Sequence, residues 1–149
     1  MLNPDYSDML SALSGAAVEY LLVGAYAMAC HGLPRATGDI DLWVKPSREN
    51  ALRVFRALDA FGAPRQDLTQ SDLERPGTVF QIGVAPRRID LLTAIAGVAF
   101  EEAWSGRMTV EIAGLVVPVL GRDQLLKNKE AAGRPKDLAD LEELRRLDT

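Results

Sequence analysis

The sequence has very few of the side chains that form disulfides or bind soft metal ions. Its 149 residues include one cysteine, Cys30, and one histidine, His31. A single cysteine excludes a disulfide framework, and these two residues together exclude a zinc site built from several Cys and His ligands. A lone cysteine also suits a reducing compartment. Functions that depend on either kind of site are therefore excluded.

A strong charge of one sign, a long apolar run and a basic leader are missing as well. The chain has 17 Lys and Arg residues against 21 Asp and Glu, a formal net charge of −4, which neither demands nor excludes a nucleic-acid partner. The apolar runs are too short for a membrane span. The first residues, "MLNPDYSDML", lack the basic region of a signal peptide. We expect a cytoplasmic protein with no membrane partner, folded as one domain over residues 1–149.

Apolar periodicity and turn residues predict a mixed α/β fold. Ser47 is a predicted N-cap, Gly32 and Gly62 are predicted helix ends, and Pro135 is predicted to divide the C-terminal helix. Residues 33–37 and 63–77 are predicted to be irregular, with helices over 5–19, 25–32, 46–62, 98–106 and 122–147. Strands are expected at "EYLLVG", "DIDLWV", "TVFQIGV", "RRIDLLT", "MTVEIAG" and "LVVPVLG", the last four forming two antiparallel hairpins. The fold class is α/β (α+β), with a small mixed sheet flanked by helices and a helical C-terminus.

Two aspartates lie one residue apart in the stretch "TGDIDLWV". On a strand, residues two apart face the same side, so Asp39 and Asp41 project together while Ile40 and Leu42 face the core. Two carboxylates on one face repel each other unless a cation lies between them. A third acid, Asp90, interrupts the apolar strand "RRIDLLT" in the same way. If the two strands are neighbours, the three carboxylates can bind Mg²⁺ (or Mn²⁺) for phosphoryl or nucleotidyl transfer.

Groups that bind phosphate are also present. Gly24, in "LLVGAYAMA", is predicted at a strand-to-helix turn, where backbone N–H groups bind anions and glycine permits close approach. The segment "LLKNKEAAGRPKDLADL" adds four basic and two acidic residues: Lys127, Lys129, Arg134, Lys136, Asp137 and Asp140.

Each of these residues also has a purely structural interpretation. This interpretation makes Asp39 and Asp41 exposed partners of Arg35, pairs Asp90 with Arg87 or Arg88, and pairs Arg134 with Asp137 across a helix start. His31 suits a helix end or the core, Cys30 suits the core, and Trp43 suits packing as well as stacking on a base. The arginines are consistent with either an RNA-binding rim or dispersed charges: Arg35, Arg65, Arg75, Arg87, Arg88 and Arg122.

The ordered set "LLVGAYAMACHGLPRATGDIDLWV", "RRIDLLT" and "KNKEAAGRPKDLADL" resembles the nucleotidyltransferase superfamily. Within it, the pattern is similar to the minimal, AbiEii-like toxin nucleotidyltransferases and their uncharacterised relatives. The resemblance spans nearly the whole chain. The family pattern hG[GS] matches Val23-Gly24-Ala25, and Dx[DE] matches Asp39-Ile40-Asp41.

The resemblance implies a role for each matched residue. Gly24 and Ala25 would lie against the nucleotide phosphates. Asp39, Asp41 and Asp90 would bind Mg²⁺, and Asp90 would also help to activate the acceptor hydroxyl. The lysine motif would contribute Lys129, as a catalytic and phosphate-binding residue, together with Arg134 and Asp137. Ala25 departs from the pattern because a glycine or serine is usual there.

The implied function is transfer of a nucleoside monophosphate from an NTP, such as ATP, to an acceptor hydroxyl. The family analogy indicates a tRNA 3′ end or a protein as acceptor, docked on the core domain, and the toxin half of a toxin–antitoxin pair with a cognate antitoxin as partner. Two alternatives remain open. Ala25 leaves room for a catalytically silent nucleotide- or protein-binding domain, and the carboxylates also suit a metal-dependent phosphohydrolase.

Overall fold

The computed structural model describes residues 2–35, 38–84 and 86–147, which form a six-stranded sheet with helices on both faces. The predicted irregular segment 33–37 lies partly outside these ranges, and so does residue 85, between the two strands of the first predicted hairpin. The elements follow the chain as α1 (Pro4–Gly15), β1 (Tyr20–Val23), α2 (Gly24–Cys30), β2 (Ile40–Val44), α3 (Arg48–Phe61), α4 (Gln70–Glu74), β3 (Val79–Ile82), β4 (Ile89–Leu92), α5 (Phe100–Ser105), β5 (Met108–Ile112), β6 (Leu115–Val119), α6 (Arg122–Ala132) and α7 (Pro135–Arg146).

The sheet is mixed, with the strand order β3-β4-β2-β1-β6-β5. Strands β2 and β4 run parallel, as do β1 and β6, while the other neighbours are antiparallel. Both predicted hairpins, β3–β4 and β5–β6, are present. The predicted fold class is therefore confirmed. Within the described ranges, no helix combines the length and hydropathy needed to cross a bilayer.

The two faces of the sheet carry separate apolar layers. Ile40, Leu42 and Val44 of β2 pack on one face with α1 and α3. The opposite face, here called the carboxylate face because it also carries Asp41, includes the buried side chain of Trp43. The Trp43 ring meets that of Phe100 edge to face, with centroids 5.0 Å apart. Trp43 is thus a packing residue of the core beneath α5 and does not lie in the cleft described below.

Several helix ends follow from local sequence as predicted. The Ser47 side chain caps α3 by accepting a hydrogen bond from the Asn50 N–H, and Gly62 ends the helix in the left-handed conformation. Pro135 begins α7 after the break at Gly133. Helix α2 ends at Cys30, two residues before the predicted end at Gly32. His31 is its C-cap residue, and the His31 Nε2 lies 2.7 Å from the Leu120 carbonyl oxygen.

Two sequence predictions about helices were wrong. The first helix ends at Gly15 rather than at residue 19, because Ala17 adopts a positive φ of 57° and turns the chain towards β1. The segment 63–77 was predicted to be irregular but contains α4. A reciprocal capping box between Thr69 and Asp72 begins this short helix. The T-x-x-D signal was present in the sequence but lacked apolar periodicity.

The side chain of Asn50 joins α3 to the two central strands. Its Oδ1 accepts a hydrogen bond from the Glu19 N–H at 2.8 Å, and its Nδ2 donates to the carbonyl oxygens of Glu19 and Lys45, each at 3.0 Å. Asn50 is fully buried. These bonds fix the start of β1 and the end of β2, which are the strands that carry the candidate site.

Replacing Asn50→Ala should therefore lower the free energy of unfolding by about 2–3 kcal/mol, since it leaves buried backbone groups without partners. For a chain of this size, the loss corresponds to a fall in Tm of about 5–10 °C. Thermal unfolding followed by circular dichroism measures it. The exposed neighbour provides the control, because Glu49→Ala should change stability by less than about 0.5 kcal/mol. Equal effects of the two substitutions would contradict the role given to Asn50.

Candidate active site

Three aspartates meet where the apolar cover of the carboxylate face ends. Asp41 of β2 lies opposite Asp90 of β4 in parallel register, so the two side chains share a face. Asp39 directly precedes β2. All three line one open cavity of about 600 Å³. The strand pairing on which the sequence argument depended is present, and the structure brings the three predicted carboxylates together.

Gly24, at the end of β1, is required by the approach of Asp41. Its φ is +69°, a conformation that disfavours other residues, and a Cβ added there would overlap the Asp41 Oδ2 oxygen. Val23 and Asp41 are register partners in the antiparallel pair β1–β2, which explains this closeness. Gly24 and Ala25 begin α2 and both line the cavity. The glycine therefore serves the carboxylate as well as any ligand.

Arg88 is the cation at the centre of the carboxylate group. Its Nε and Nη2 donate to the two oxygens of Asp90 at 2.8 and 3.2 Å. The same Nη2 lies 3.2 Å from Asp39 Oδ2, and the Arg88 backbone N–H donates to Asp39 Oδ1 at 3.2 Å. The sequence raised Arg88 as a structural partner of Asp90 and as a member of a possible RNA-binding rim, but not as a residue of the carboxylate site. Its position two residues before Asp90, on the same face of an extended segment, is the signal that could have indicated its place in the cleft.

The environment of Asp41 among these carboxylates raises its pKa. Burial is the largest cause that raises its pKa, followed by the negative charges of Asp90 and Asp39 and a hydrogen bond with the Asp90 carboxyl group. The positive charge of Arg88 opposes the shift, yet the pKa of Asp41 still rises to about 6. At neutral pH Asp41 is mostly ionised, and the guanidinium of Arg88 offsets the carboxylate charges; below about pH 6 a proton on Asp41 also offsets them.

A second set of charges faces the aspartates from α6 and α7. Lys129 lines the cavity, and its Nζ lies 3.1 Å from Asp140 Oδ2 and 3.5 Å from Asp137 Oδ1. Asp137 is buried behind the cavity wall and pairs with Arg134 through Nε at 2.6 Å. That bond is the largest cause that lowers the pKa of Asp137. Asp137 therefore holds Lys129 and Arg134 in place from behind, and the i,i+3 pair anticipated from the sequence is present.

Arg35, Lys136 and Asp140 also line the cavity. The sequence offered Lys136 and Asp140 as part of the charged C-terminal segment. It offered Arg35 as a partner of Asp39 and Asp41 or as part of an RNA-binding rim. Arg35 pairs with Asp140 rather than with Asp39 or Asp41. Burial raises the pKa of Asp140, but hydrogen bonds from Arg35 and Lys129 outweigh it and hold the pKa below its usual value. Only the fold brings Arg35 to α7, since 105 residues separate it from Asp140.

The cavity wall carries five cationic and four acidic side chains together with two apolar ones: Arg35, Arg88, Lys129, Arg134, Lys136, Asp39, Asp41, Asp90, Asp140, Ala25 and Met28. Cations surround a small acidic centre, an arrangement that complements a polyanion carrying a divalent metal ion. The other arginines considered from the sequence do not form a rim around this cavity. Arg65 pairs with Asp59, Arg75 pairs with Asp72, and Arg122 donates to the Leu144 carbonyl oxygen. Lys127 pairs with Glu102.

The donor chemistry of the acidic centre fits Mg²⁺. Within the described ranges, no group of three or more His, Cys, Asp or Glu side chains is arranged to hold a metal ion alone. Mg²⁺ does not need such a cage, because it is usually bound by one or two carboxylates while substrate phosphates and water complete its shell. Asp41 and Asp90, which lie opposite each other on neighbouring strands, and the nearby Asp39 offer suitable oxygens. The residues therefore fit a metal ion that arrives with a phosphate ligand.

No protein-family model and no curated protein matches the chain. Among solved structures, the chain is similar to the crystal structure of a "putative nucleotidyltransferase" from Thermotoga maritima. The two share 17% sequence identity and superpose with a TM-score of 0.60 over 99% of this chain and 94% of the other. At this identity the similarity establishes the architecture alone. The chain therefore has the mixed α/β fold of that protein.

Proposed function

We propose that the chain is a Mg²⁺-dependent nucleotidyltransferase that moves a nucleoside monophosphate from an NTP to an acceptor hydroxyl. The observation that carries this proposal is the meeting of Asp39, Asp41 and Asp90 in a cleft lined by cations. Such a cleft suits the triphosphate and metal of a nucleotide better than a neutral substrate. The architecture shared with the Thermotoga maritima protein is consistent with it.

Two groups of residues on opposite walls of the cleft would bind the triphosphate. Gly24 and Ala25 lie at the start of α2, where backbone N–H groups have no partner within the helix and are available to phosphate oxygens. Lys129 and Arg134 approach from the opposite wall, held by Asp137. Asp39, Asp41 and Asp90 would hold the metal ion. Mg²⁺ would supply stabilisation of the charge that develops on the transferring phosphoryl group.

The transfer forms one bond and breaks one. The acceptor oxygen bonds to the α-phosphorus. The bond from that phosphorus to the oxygen that bridges the α- and β-phosphorus atoms breaks, and pyrophosphate leaves with the electron pair. The acceptor hydroxyl loses its proton, for which the Asp90 carboxylate is the proposed first recipient. Lys129 and Arg134 neutralise charge on the departing pyrophosphate. Positioning and electrostatics then account for most of the rate enhancement.

The acceptor is proposed from the sequence resemblance and from the openness of the cleft. A tRNA 3′ end or a protein hydroxyl can approach because the strand β3, next to Asp90 in the sheet, leaves Val79 and Gln81 exposed. A toxin role, with a cognate antitoxin as partner, and a cytoplasmic location belong to the same proposal. They rest on the resemblance of the motifs alone.

A silent binding domain is the second candidate, and Ala25 is the observation that favours it. Ala25 lines the cavity where the related pattern has glycine or serine, so a side-chain hydroxyl contact to phosphate is absent at this position. The backbone N–H remains. Such a domain would bind Mg²⁺ and nucleotide without transferring anything, whereas a phosphohydrolase would consume NTP in the absence of an acceptor.

We expect label from one of the four α-³²P NTPs, supplied with Mg²⁺, to enter tRNA or a protein of a cell lysate. The double variant Asp39→Asn/Asp41→Asn should reduce transfer by at least about 10³-fold, because it removes two of the carboxylates that would hold the metal ion, whose charge stabilises the transition state. Transfer is measured by gel autoradiography after purification of each acceptor.

Asp67→Asn, an exposed aspartate remote from the cleft, is the matched control and should transfer label like the wild type. Nucleotide binding without transfer to any acceptor would favour the silent domain. Release of phosphate or pyrophosphate from NTP alone would favour the phosphohydrolase. Loss of binding as well as transfer would leave only the fold.

In metal-free buffer at pH 7.5, Asp41→Asn should raise the Tm by about 2–8 °C. The raised pKa means that the folded protein binds the Asp41 proton more tightly than the unfolded chain does, so stability falls as pH rises from about 4 to 6. Because Asp41 is partly exposed, we expect removal of its charge to raise the free energy of unfolding by about 1–2 kcal/mol. Differential scanning fluorimetry compares the Tm of Asp41→Asn with that of Asp67→Asn. Equal Tm changes in the two variants would contradict a destabilising charge on Asp41.

The affinity of the wild type for Mg²⁺-nucleotide should fall about tenfold between pH 7.5 and pH 5.0. A carboxyl group with a pKa of about 6 is mostly protonated at pH 5, and metal must displace that proton. Isothermal titration calorimetry in buffers of different ionisation enthalpy also measures the proton released. An affinity independent of pH, with no proton release near pH 6, would exclude Asp41 as a metal ligand.

A further inference from the structure

Arg88 contacts every carboxylate oxygen of Asp39 and Asp90. Nitrogens of Arg88 lie 2.8 and 3.2 Å from the two oxygens of Asp90, and 3.2 Å from each oxygen of Asp39. One of these nitrogens is the backbone N–H, and the others belong to the guanidinium group. The charge of the arginine therefore occupies the place between two strands where a metal ion would be bound.

A divalent ion and this guanidinium group compete for the same oxygens. A carboxylate oxygen has lone pairs for both a hydrogen bond and a metal bond, but two cations within a few ångströms repel each other strongly in a partly buried site. The side chain of Asp90 is only 10% exposed, so water screens this repulsion poorly. Binding of a metal ion to Asp39 and Asp90 thus requires the Arg88 side chain to move or to gain an anionic partner.

The cavity offers such a partner when nucleotide is bound. Arg88 lines the same cavity as Gly24 and Lys129, the residues given to the triphosphate above. Its side chain is 29% exposed, which leaves the end of the chain room to turn towards the open cleft. A planar guanidinium group binds phosphate oxygens in pairs as well as it binds carboxylates.

We propose that Arg88 is an exchange residue: it holds Asp39 and Asp90 together in the metal-free protein and transfers its guanidinium group to the triphosphate when metal and nucleotide bind. This inference rests on the proposed function and deepens it. Arg88 makes metal binding depend on nucleotide, because metal alone must displace the guanidinium group without giving it a new anion. Nucleotide also binds better with metal, since the two effects are reciprocal.

The test is the binding of Mn²⁺, followed by electron paramagnetic resonance, with and without a non-hydrolysable ATP analogue. Arg88→Gln keeps hydrogen-bond donors near Asp90 but removes the charge, and Arg88→Ala removes both. Arg87→Gln is the matched control, because it makes the same charge change one residue away, in an exposed side chain that does not line the cavity.

We expect Arg88→Gln to bind Mn²⁺ alone at least about tenfold more tightly than the wild type and Arg87→Gln, a difference of about 1.4 kcal/mol. The analogue should bind to Arg88→Gln at least about tenfold more weakly at saturating Mn²⁺. The factor by which nucleotide tightens Mn²⁺ binding should therefore be smaller in the variant. Arg88→Lys, which keeps the charge but loses the paired geometry, should lie between wild type and Arg88→Gln.

Unchanged or weaker Mn²⁺ binding in a folded Arg88→Gln variant, relative to Arg87→Gln, would overturn the exchange role while leaving the proposed function intact. Loss of both Mn²⁺ and nucleotide binding in all proteins, wild type included, would overturn the proposed function and this inference with it. Circular dichroism of each variant confirms folding, and Arg88→Gln remains informative where Arg88→Ala does not fold.

Discussion

The repulsion among three carboxylates on two neighbouring strands is the constraint on which the local structure depends. Asp41 and Asp90 are fixed opposite each other by the parallel register of β2 and β4, so they cannot separate without breaking the sheet. The chain offsets their charge with the guanidinium group of Arg88 and, below about pH 6, also with a proton on Asp41, whose pKa is raised. Gly24 completes the arrangement, because a larger residue would overlap Asp41.

The cavity wall formed by α6 and α7 holds basic side chains that, among the residues that the structure describes, do not pair with the aspartates of the carboxylate face. Asp137 and Asp140 bind Lys129 from within α7, and the side chain of Lys129 is only 12% exposed. Arg134 and Arg35 take the remaining oxygens of these acids. The charge of each of these three basic side chains is therefore balanced by an acid of α7. A single buried charge would be far more costly than this linked set.

The division of the sheet into two faces separates stability from chemistry. The face covered by α1 and α3 is apolar along β2, whereas the carboxylate face changes from apolar at Trp43 to acidic at Asp41 and Asp39. Asn50 secures the covered end of β2 by bonding to the backbone of Lys45 and Glu19. The charges of Asp39 and Asp41 thus lie at the start of β2, and the buried side chain of Trp43 lies near its end.

The sequence by itself determined the strand containing Asp39 and Asp41, the caps at Ser47 and Gly62, and the break at Pro135, because these follow from periodicity and from backbone geometry within a few residues. It missed α4, whose capping box lacked an apolar pattern, and it extended α1 past Gly15. Only the tertiary structure decided that Arg88 bridges Asp39 and Asp90, that Arg35 reaches Asp140, and that Trp43 is buried against Phe100. Those contacts depend on strand order and on helix packing across long sequence separations. A one-dimensional pattern can indicate local pairs such as Arg134 with Asp137, but it cannot choose which charged residues will pair across long sequence separations.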